Sequence, residues 1–392
     1  MSDLNNDLIG AAWLVHKYQL VLSGCLPVQS QIGGRRLTHS SSEYTQEIYP
    51  ERMRPAAEPV AHLQFHLRHE VPHLEFLSRL FERTGADFIQ AWVNAEPTGQ
   101  YARRAAFLYE WLTGQNLQVP PRLGGNYVDA IDDQKMVAAS SDQVIKVPRW
   151  RINDNLPGTR YFCPTVLKTD TITTAMALNV SQLLQKLQDE ASFEIEGEAS
   201  QASRIERFAE VMARRTGQSN SPLSPTELAQ LQQDILGERT TLTHFGLRQS
   251  PVFVGESVRY QDIVHYVAPP AEDIAAMLEG LQTFLERTQG QSSIMRSAVV
   301  AFGFVYIHPL ADGNGRIHRF LVNDVLRRDG VVPDPIILPI SAVITDDVGE
   351  RRHYDQVLDQ VSKPLMQKVR DSIAFKGQYM TYTDGVVSNF DF

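Results

Sequence analysis

Twelve consecutive residues, His308-Pro-Leu-Ala-Asp-Gly-Asn-Gly-Arg-Ile-His-Arg319, gather the side-chain types that phosphate chemistry needs. His308 offers an imidazole that accepts a proton near neutral pH. Asp312 supplies one hard oxygen, which suits a Mg²⁺ ion that keeps most of its waters and is otherwise held by phosphates. Gly313 and Gly315 flank Asn314, and glycine tolerates positive φ, so this run can turn its N–H groups toward an anion. A helix expected to begin near Arg316 adds the positive end of its dipole. Arg316 and Arg319 lie three apart, on neighbouring surface of one helical turn, and can grip separate phosphate groups. Each feature has a plain reading too: a capping histidine, a turn, a solvated helix face. Their conjunction in one loop favours the chemistry. The spacing of His308, Asp312 and His318 fits no zinc site, and His318 reads as a helix-surface or core histidine.

The loop needs two helices to hold it. Ala298 to Ile307 is an apolar run within a helix expected over 293–307, and Pro309 ends that helix with His308 at its edge. A second helix is expected over 317–328. Upstream, Pro269 and Pro270 mark the start of a helix over 271–287. Residues 247–267 read as a strand pair, with Val252, Val254, Val264 and Tyr266 in alternation and Gly255 near the turn. Helical patterns also cover 173–187 and 204–214. In the first 114 residues the pattern is mostly helical, clearest at 71–82 and 101–112, where Phe76, Leu77, Leu80 and Phe81, and then Phe107, Leu108 and Trp111, share a face. Residues 120–165, rich in Pro, Gly, Asn and Asp, read as a long ordered connection with some strand.

Composition narrows the function. The chain has 392 residues, 43 % hydrophobic, enough for two packed units. Its net charge of −9 is spread along the chain and argues against nonspecific nucleic-acid binding. Two cysteines, Cys25 and Cys163, give no disulfide framework and read as reduced thiols of a cytoplasmic protein. No apolar run approaches the ~20 residues of a membrane span, and the acidic start lacks a signal peptide's basic region.

The loop resembles the Fic family signature, H-P-F-x-D-G-N-G-R-x-x-R, in which every fixed position matches except Phe, here Leu310. The resemblance covers roughly residues 192–360. It implies a mainly α fold: a Fic-type helical bundle with a small β-hairpin flap, after a helical N-terminal region of unknown role. The expected organisation is 1–170 for that region, 171–365 for the catalytic domain and 366–392 for a tail. The implied activity is protein adenylyltransfer, with AMP moving from ATP to a Tyr, Thr or Ser hydroxyl of a protein target. His308 would be the general base and Asp312 the Mg²⁺ ligand. Gly313, Asn314 and Gly315 would cradle phosphate oxygens, while Arg316 and Arg319 would take the β- and γ-phosphates. Leu310, where the family has an aromatic, implies slightly looser packing beneath the loop.

Fic proteins often carry an inhibitory helix of pattern [S/T]-x-x-x-E-[G/N], and Ser192-Phe-Glu-Ile-Glu-Gly197 fits it. The resemblance implies that Glu196 pairs with Arg319 and blocks the productive ATP pose. It also implies a homodimer as one possible assembly, and a flap edge to which an extended target segment can add. Two other readings remain at this stage. One is a Fic enzyme with a different phosphate-containing donor. The other is a nucleotide-binding regulator or toxin–antitoxin type protein with vestigial activity.

Overall fold

The computed structural model describes residues 7–23, 25–40, 44–178, 202–237, 240, 242, 244–258, 261–338, 340, 348–370, 373–376 and 379–382. The candidate inhibitory segment, with Glu196, lies outside them. The chain divides into two units, one formed by residues 1–156 with 165–167 and 391–392, the other by 157–164 with 168–390. Helices dominate, with small sheets between them.

The first unit opens on strand β1 (Leu8–Ile9) and helix α1 (Gly10–Tyr18). Strands β2 (Val28–Gly33), β3 (Leu37–Ser40) and β4 (Thr45–Pro50) join β1 in a sheet of order β1-β2-β4-β3. The β2–β4 pair is parallel and the other two are antiparallel. Helices α2 (Pro59–His69), α3 (Leu74–Ala95) and α4 (Gln100–Thr113) follow. The apolar faces read at 71–82 and 101–112 are those α3 and α4 bury: Phe76, Leu77, Leu80, Phe81, Phe107 and Leu108 are core residues. Inside α3, Gly85 takes φ 71°, a kink just beyond the stretch whose periodicity marks a helix. The strands ahead of α2 carried no such mark. Farther along, β5 (Val128–Asp129), β6 (Ile145–Val147) and β7 (Ile152–Asp154) form a small sheet of order β5-β7-β6, the strand content expected in 120–165.

The second unit carries the loop. Its helices are α5 (Asp170–Met176), α6 (Ala202–Arg215), α7 (Pro225–Leu236), α8 (Ile274–Arg287), α9 (Ser293–Ile307), α10 (Asn314–Arg328) and α11 (Val348–Val369). Ser224 caps α7 by accepting from the Glu227 N–H, and Pro225 stands at its first position, where a missing N–H costs nothing. Strands β8 (Phe253–Val258) and β9 (Gln261–Val267) form an antiparallel hairpin with a bulge at Val254/Gly255. A second hairpin, β10 (Ile373–Lys376) with β11 (Tyr379–Tyr382), follows α11.

Helix α9 is the centre of this unit, packing on α8 and α10. Val300, Ala301, Phe304 and Ile307 on it are buried, with Leu281 and Phe284 from α8 and Ile317, Leu321 and Val325 from α10. Burial of such side chains is worth roughly 1.5–3 kcal/mol each and fixes the spacing of the two helices that flank the loop. A Cβ at Gly303 would lie 2.8 Å from Leu281 Cδ1, so the close approach of α8 to α9 requires glycine there. Arg296, buried in α9, donates from Nη2 to the Leu285 carbonyl at 2.6 Å and pairs through Nη1 with Asp329, tying the start of α9 to the end of α10. Among the described residues no helix is long and apolar enough to cross a membrane.

Candidate active site

Helix α9 ends at His308, whose backbone turns left-handed at φ 49°, ψ 56°. Pro309 bars the preceding residue from continuing the right-handed helix, and a left-handed cap is the common exit. For a non-glycine residue that exit costs of order 1–3 kcal/mol and persists only where surroundings over-determine it. The His308 N–H donates to Phe304 O at 2.9 Å, and its carbonyl accepts from Arg248 Nε at 2.8 Å.

The imidazole is half-buried. Its Nδ1 is enclosed and makes no hydrogen bond among the described residues. Burial lowers the His308 pKa below its ordinary 6.5; the nearby Val305 carbonyl opposes this and the Arg248 charge adds to it. His308 is therefore neutral at pH 7 and able to accept a proton.

The loop is knitted by its own asparagine. Asn314, buried, accepts from the Leu310 N–H at 3.1 Å and donates from Nδ2 to the Leu310 carbonyl at 2.7 Å. Leu310 is fully buried and forms an isolated antiparallel bridge with Leu247. Asp312 is exposed, and its Oδ1 accepts from the Gly313 N–H at 2.6 Å. Gly313 takes φ 93° as the residue before α10.

Two details differ from the expectation. Helix α10 begins at Asn314, two residues earlier than Arg316, because the Gly313 carbonyl already accepts from the N–H groups of Arg316 and Ile317, each at 3.0 Å. Gly315 is consequently helical, and Gly313 alone of the pair has positive φ. With the Gly313 N–H taken by Asp312, the N–H groups at the helix opening are those of Asn314 and Gly315, first-turn donors with no intrahelical acceptor. Nothing lies within 4 Å of where a Gly315 Cβ would stand, so an anion can approach this backbone closely.

Arg316 and Arg319 are half-buried on the first turns of α10. His318, beside them, has its pKa lowered to about 4 by burial and by the Arg319 charge, so it is a neutral, largely enclosed histidine. The bond to the Gly313 N–H uses one Asp312 carboxylate oxygen, Oδ1. Among the described residues no group of three or more His, Cys, Asp or Glu could hold a metal, so the donor set is one carboxylate. One hard oxygen fits a Mg²⁺ ion whose other ligands are phosphate oxygens and water.

Two residues of this site carried no signal in the sequence. Gln232 of α7, buried, donates from Nε2 to the Asp312 carbonyl at 2.8 Å and accepts from the Gly246 N–H at 2.8 Å. Arg248, also buried, donates to three carbonyls, and its N–H reaches Pro309 O at 2.9 Å.

Residues 222–326 match the model of the Fic/DOC family. The chain is 30 % identical over 155 residues to protein adenylyltransferase fic-1 of Caenorhabditis briggsae, covering 37 % of this chain and 28 % of that protein. It is 24 % identical over 176 residues to the fic-1 protein of Caenorhabditis elegans, covering 43 % and 32 %. Protein adenylyltransferase Fic of Drosophila grimshawi is 29 % identical over 115 residues, covering 29 % and 22 %. The chain thus spans at most about a third of the length of these three relatives. A Fic family protein from Desulfovibrio desulfuricans G20 aligns in structure with TM-score 0.31 and 20 % identity, over 52 % of this chain and 66 % of that one, too loosely to argue from. Motif and family model point to the same stretch: residues 222–326, which hold the His308–Arg319 loop, are similar to the Fic/DOC family.

Proposed function

We propose that this chain is a protein adenylyltransferase that moves AMP from ATP to a Tyr, Thr or Ser hydroxyl of a protein. The observation that carries the reading is a neutral His308, held at a strained helix end, just ahead of an anion-binding helix start flanked by Asp312, Arg316 and Arg319. The hydroxyl oxygen bonds to the α-phosphorus as the bond to the bridging oxygen breaks. Pyrophosphate leaves, and the hydroxyl proton passes to His308 Nε2.

The N–H groups of Asn314 and Gly315 oppose charge on the phosphate oxygens, with the dipole of α10 behind them. Arg316 and Arg319 grip the β- and γ-phosphates, which aligns the leaving group. Asp312 would hold Mg²⁺, which when bound neutralises charge shared by the α- and β-phosphates. The β8–β9 hairpin offers main-chain pairing to an extended target segment. Glu196, by the family pattern, restrains Arg319 and keeps the enzyme silent until released. The setting we infer is cytoplasmic, with dimerisation through the same family habit.

The test is incubation with α-labelled ATP and Mg²⁺ in cell lysate, followed by mass spectrometry of labelled proteins. An AMP adduct on a hydroxyl side chain is expected, abolished by chelator. A different phosphate-containing adduct, or none from either wild type or Glu196→Gly, would overturn the reading.

A further inference from the structure

Arg248 sits where three pieces of backbone converge. From Nε it donates to His308 O at 2.8 Å, from Nη1 to Ser250 O at 2.9 Å and from Nη2 to Pro269 O at 2.5 Å. Ser250 lies just before strand β8 and Pro269 just after strand β9, so one guanidinium spans both ends of the hairpin and the carbonyl of His308. The side chain is only 4 % exposed. Backbone pairing reinforces the join: Leu247 bridges Leu310, the Arg248 N–H donates to Pro309 O at 2.9 Å, and the Ala268 N–H donates to Val252 O at 3.0 Å. Higher in the hairpin, the Tyr266 hydroxyl donates to the Tyr306 carbonyl near the end of α9.

Two properties make this more than packing. The carbonyl that Arg248 holds belongs to the residue with the left-handed backbone, a conformation that needs outside support. The phosphate-facing groups have supports of their own: Gln232 on the Asp312 carbonyl and Asn314 on Leu310. A planar fork with several fixed donors can hold three carbonyls at once, which a lysine ammonium on a flexible stem does not reproduce.

We propose that Arg248 is a positioning residue that locks His308 and the base of the β8–β9 hairpin into one unit, thereby setting where a hairpin-bound hydroxyl meets the imidazole. This rests on the adenylyltransferase reading for its kinetic consequence, but not for its structural one. Loss of the fork lets the hairpin and His308 drift apart while nucleotide binding persists.

The experiment compares wild type, Arg248→Lys and Arg248→Met, each also with Glu196→Gly. It reads auto-modification with α-labelled ATP, the ATP dissociation constant and hydrogen exchange. Misplacement of about 1 Å can cost on the order of 10²-fold in rate, so transfer should drop at least about tenfold. The ATP dissociation constant should stay within about threefold, a loss confined to the chemical step. Peptides covering 250–269 and 304–310 should lose protection together, with α7 unchanged. Should Arg248→Met not fold, Arg248→Lys carries the same three readouts. Wild-type transfer in a folded variant, a parallel loss of ATP affinity, or protection lost evenly across the second unit overturns the proposal. If Glu196→Gly binds ATP but transfers nothing, the adenylyltransferase reading fails instead, and the exchange result decides Arg248 by itself.

Discussion

The side chain of Gln232 joins two loops that the chain order keeps far apart: its Nε2 donates to Asp312 O at 2.8 Å and its Oε1 accepts from Gly246 N at 2.8 Å. Both amide atoms are thereby satisfied in a residue 1 % exposed. Gly246 takes φ 104° where it meets this side chain, and two residues later Arg248 reaches His308. One amide therefore links the Asp312 carbonyl to the segment that holds the His308 carbonyl.

Gln232→Leu keeps the side chain's bulk but strands a partly buried N–H at Gly246. We expect a loss of about 1–3 kcal/mol, the cost of leaving such a group unsatisfied. Chemical denaturation measures it. An unchanged midpoint would show that the bridge contributes nothing to the loop.

His308→Ala removes the proposed proton acceptor and leaves the helix start intact. Transfer should fall by about 10²–10⁴-fold while ATP binding and the fold persist. Purified His308→Ala that still transfers AMP at the wild-type rate would remove His308 from the mechanism.

The pH profile follows from the same residue. Its pKa lies below 6.5 in the folded protein, so the neutral base survives below that pH and the acid limb of kcat/KM must lie lower than for an ordinary histidine. Stability has the same sign. A depressed histidine favours the folded state above its unfolded pKa, and that contribution is lost as pH falls through the folded value. For His318 the window runs from 6.5 down to about 4. His318→Gln should flatten the fall in stability across that window, read by denaturant melts at several pH values. An acid limb of activity above pH 6.5 would contradict the neutral, buried imidazole.

The proposed restraint by Glu196 is testable through Arg319. Glu196→Gly should raise auto-modification or target modification strongly, since alignment of attacking and leaving oxygens is the main lever in such transfers. Adding Arg319→Ala should remove the gain, and Glu194→Gly, two residues away, should change little. The helix-propensity cost of the glycine is only ~1 kcal/mol. If ATP affinity and transfer rate both stay at wild-type level in Glu196→Gly, the inhibitory reading of residues 192–197 is wrong.

What the chain order alone made readable is local. His308, Pro309, Asp312, Gly313, Asn314, Arg316 and Arg319 lie within one turn-and-helix unit, so Pro and Gly chemistry and the 3.6-residue period already put them together. The apolar faces of α3, α4 and α9 were legible for the same reason, because burial repeats with the helix period. Strands β2 and β4 were not. Val28-Gln-Ser-Gln-Ile-Gly33 buries Ser30 as well as Ile32, so a polar residue occupies an inward position and blurs the alternation. Its pairing with β4 is parallel, which no turn between them announces. Arg248 and Gln232 could be recognised only in three dimensions. Their partners, 60 and 80 residues distant, are backbone carbonyls, and any residue supplies a carbonyl. A side chain bonded to the main chain leaves no complementary residue type for the sequence to display. Tertiary packing alone decides which carbonyl it meets.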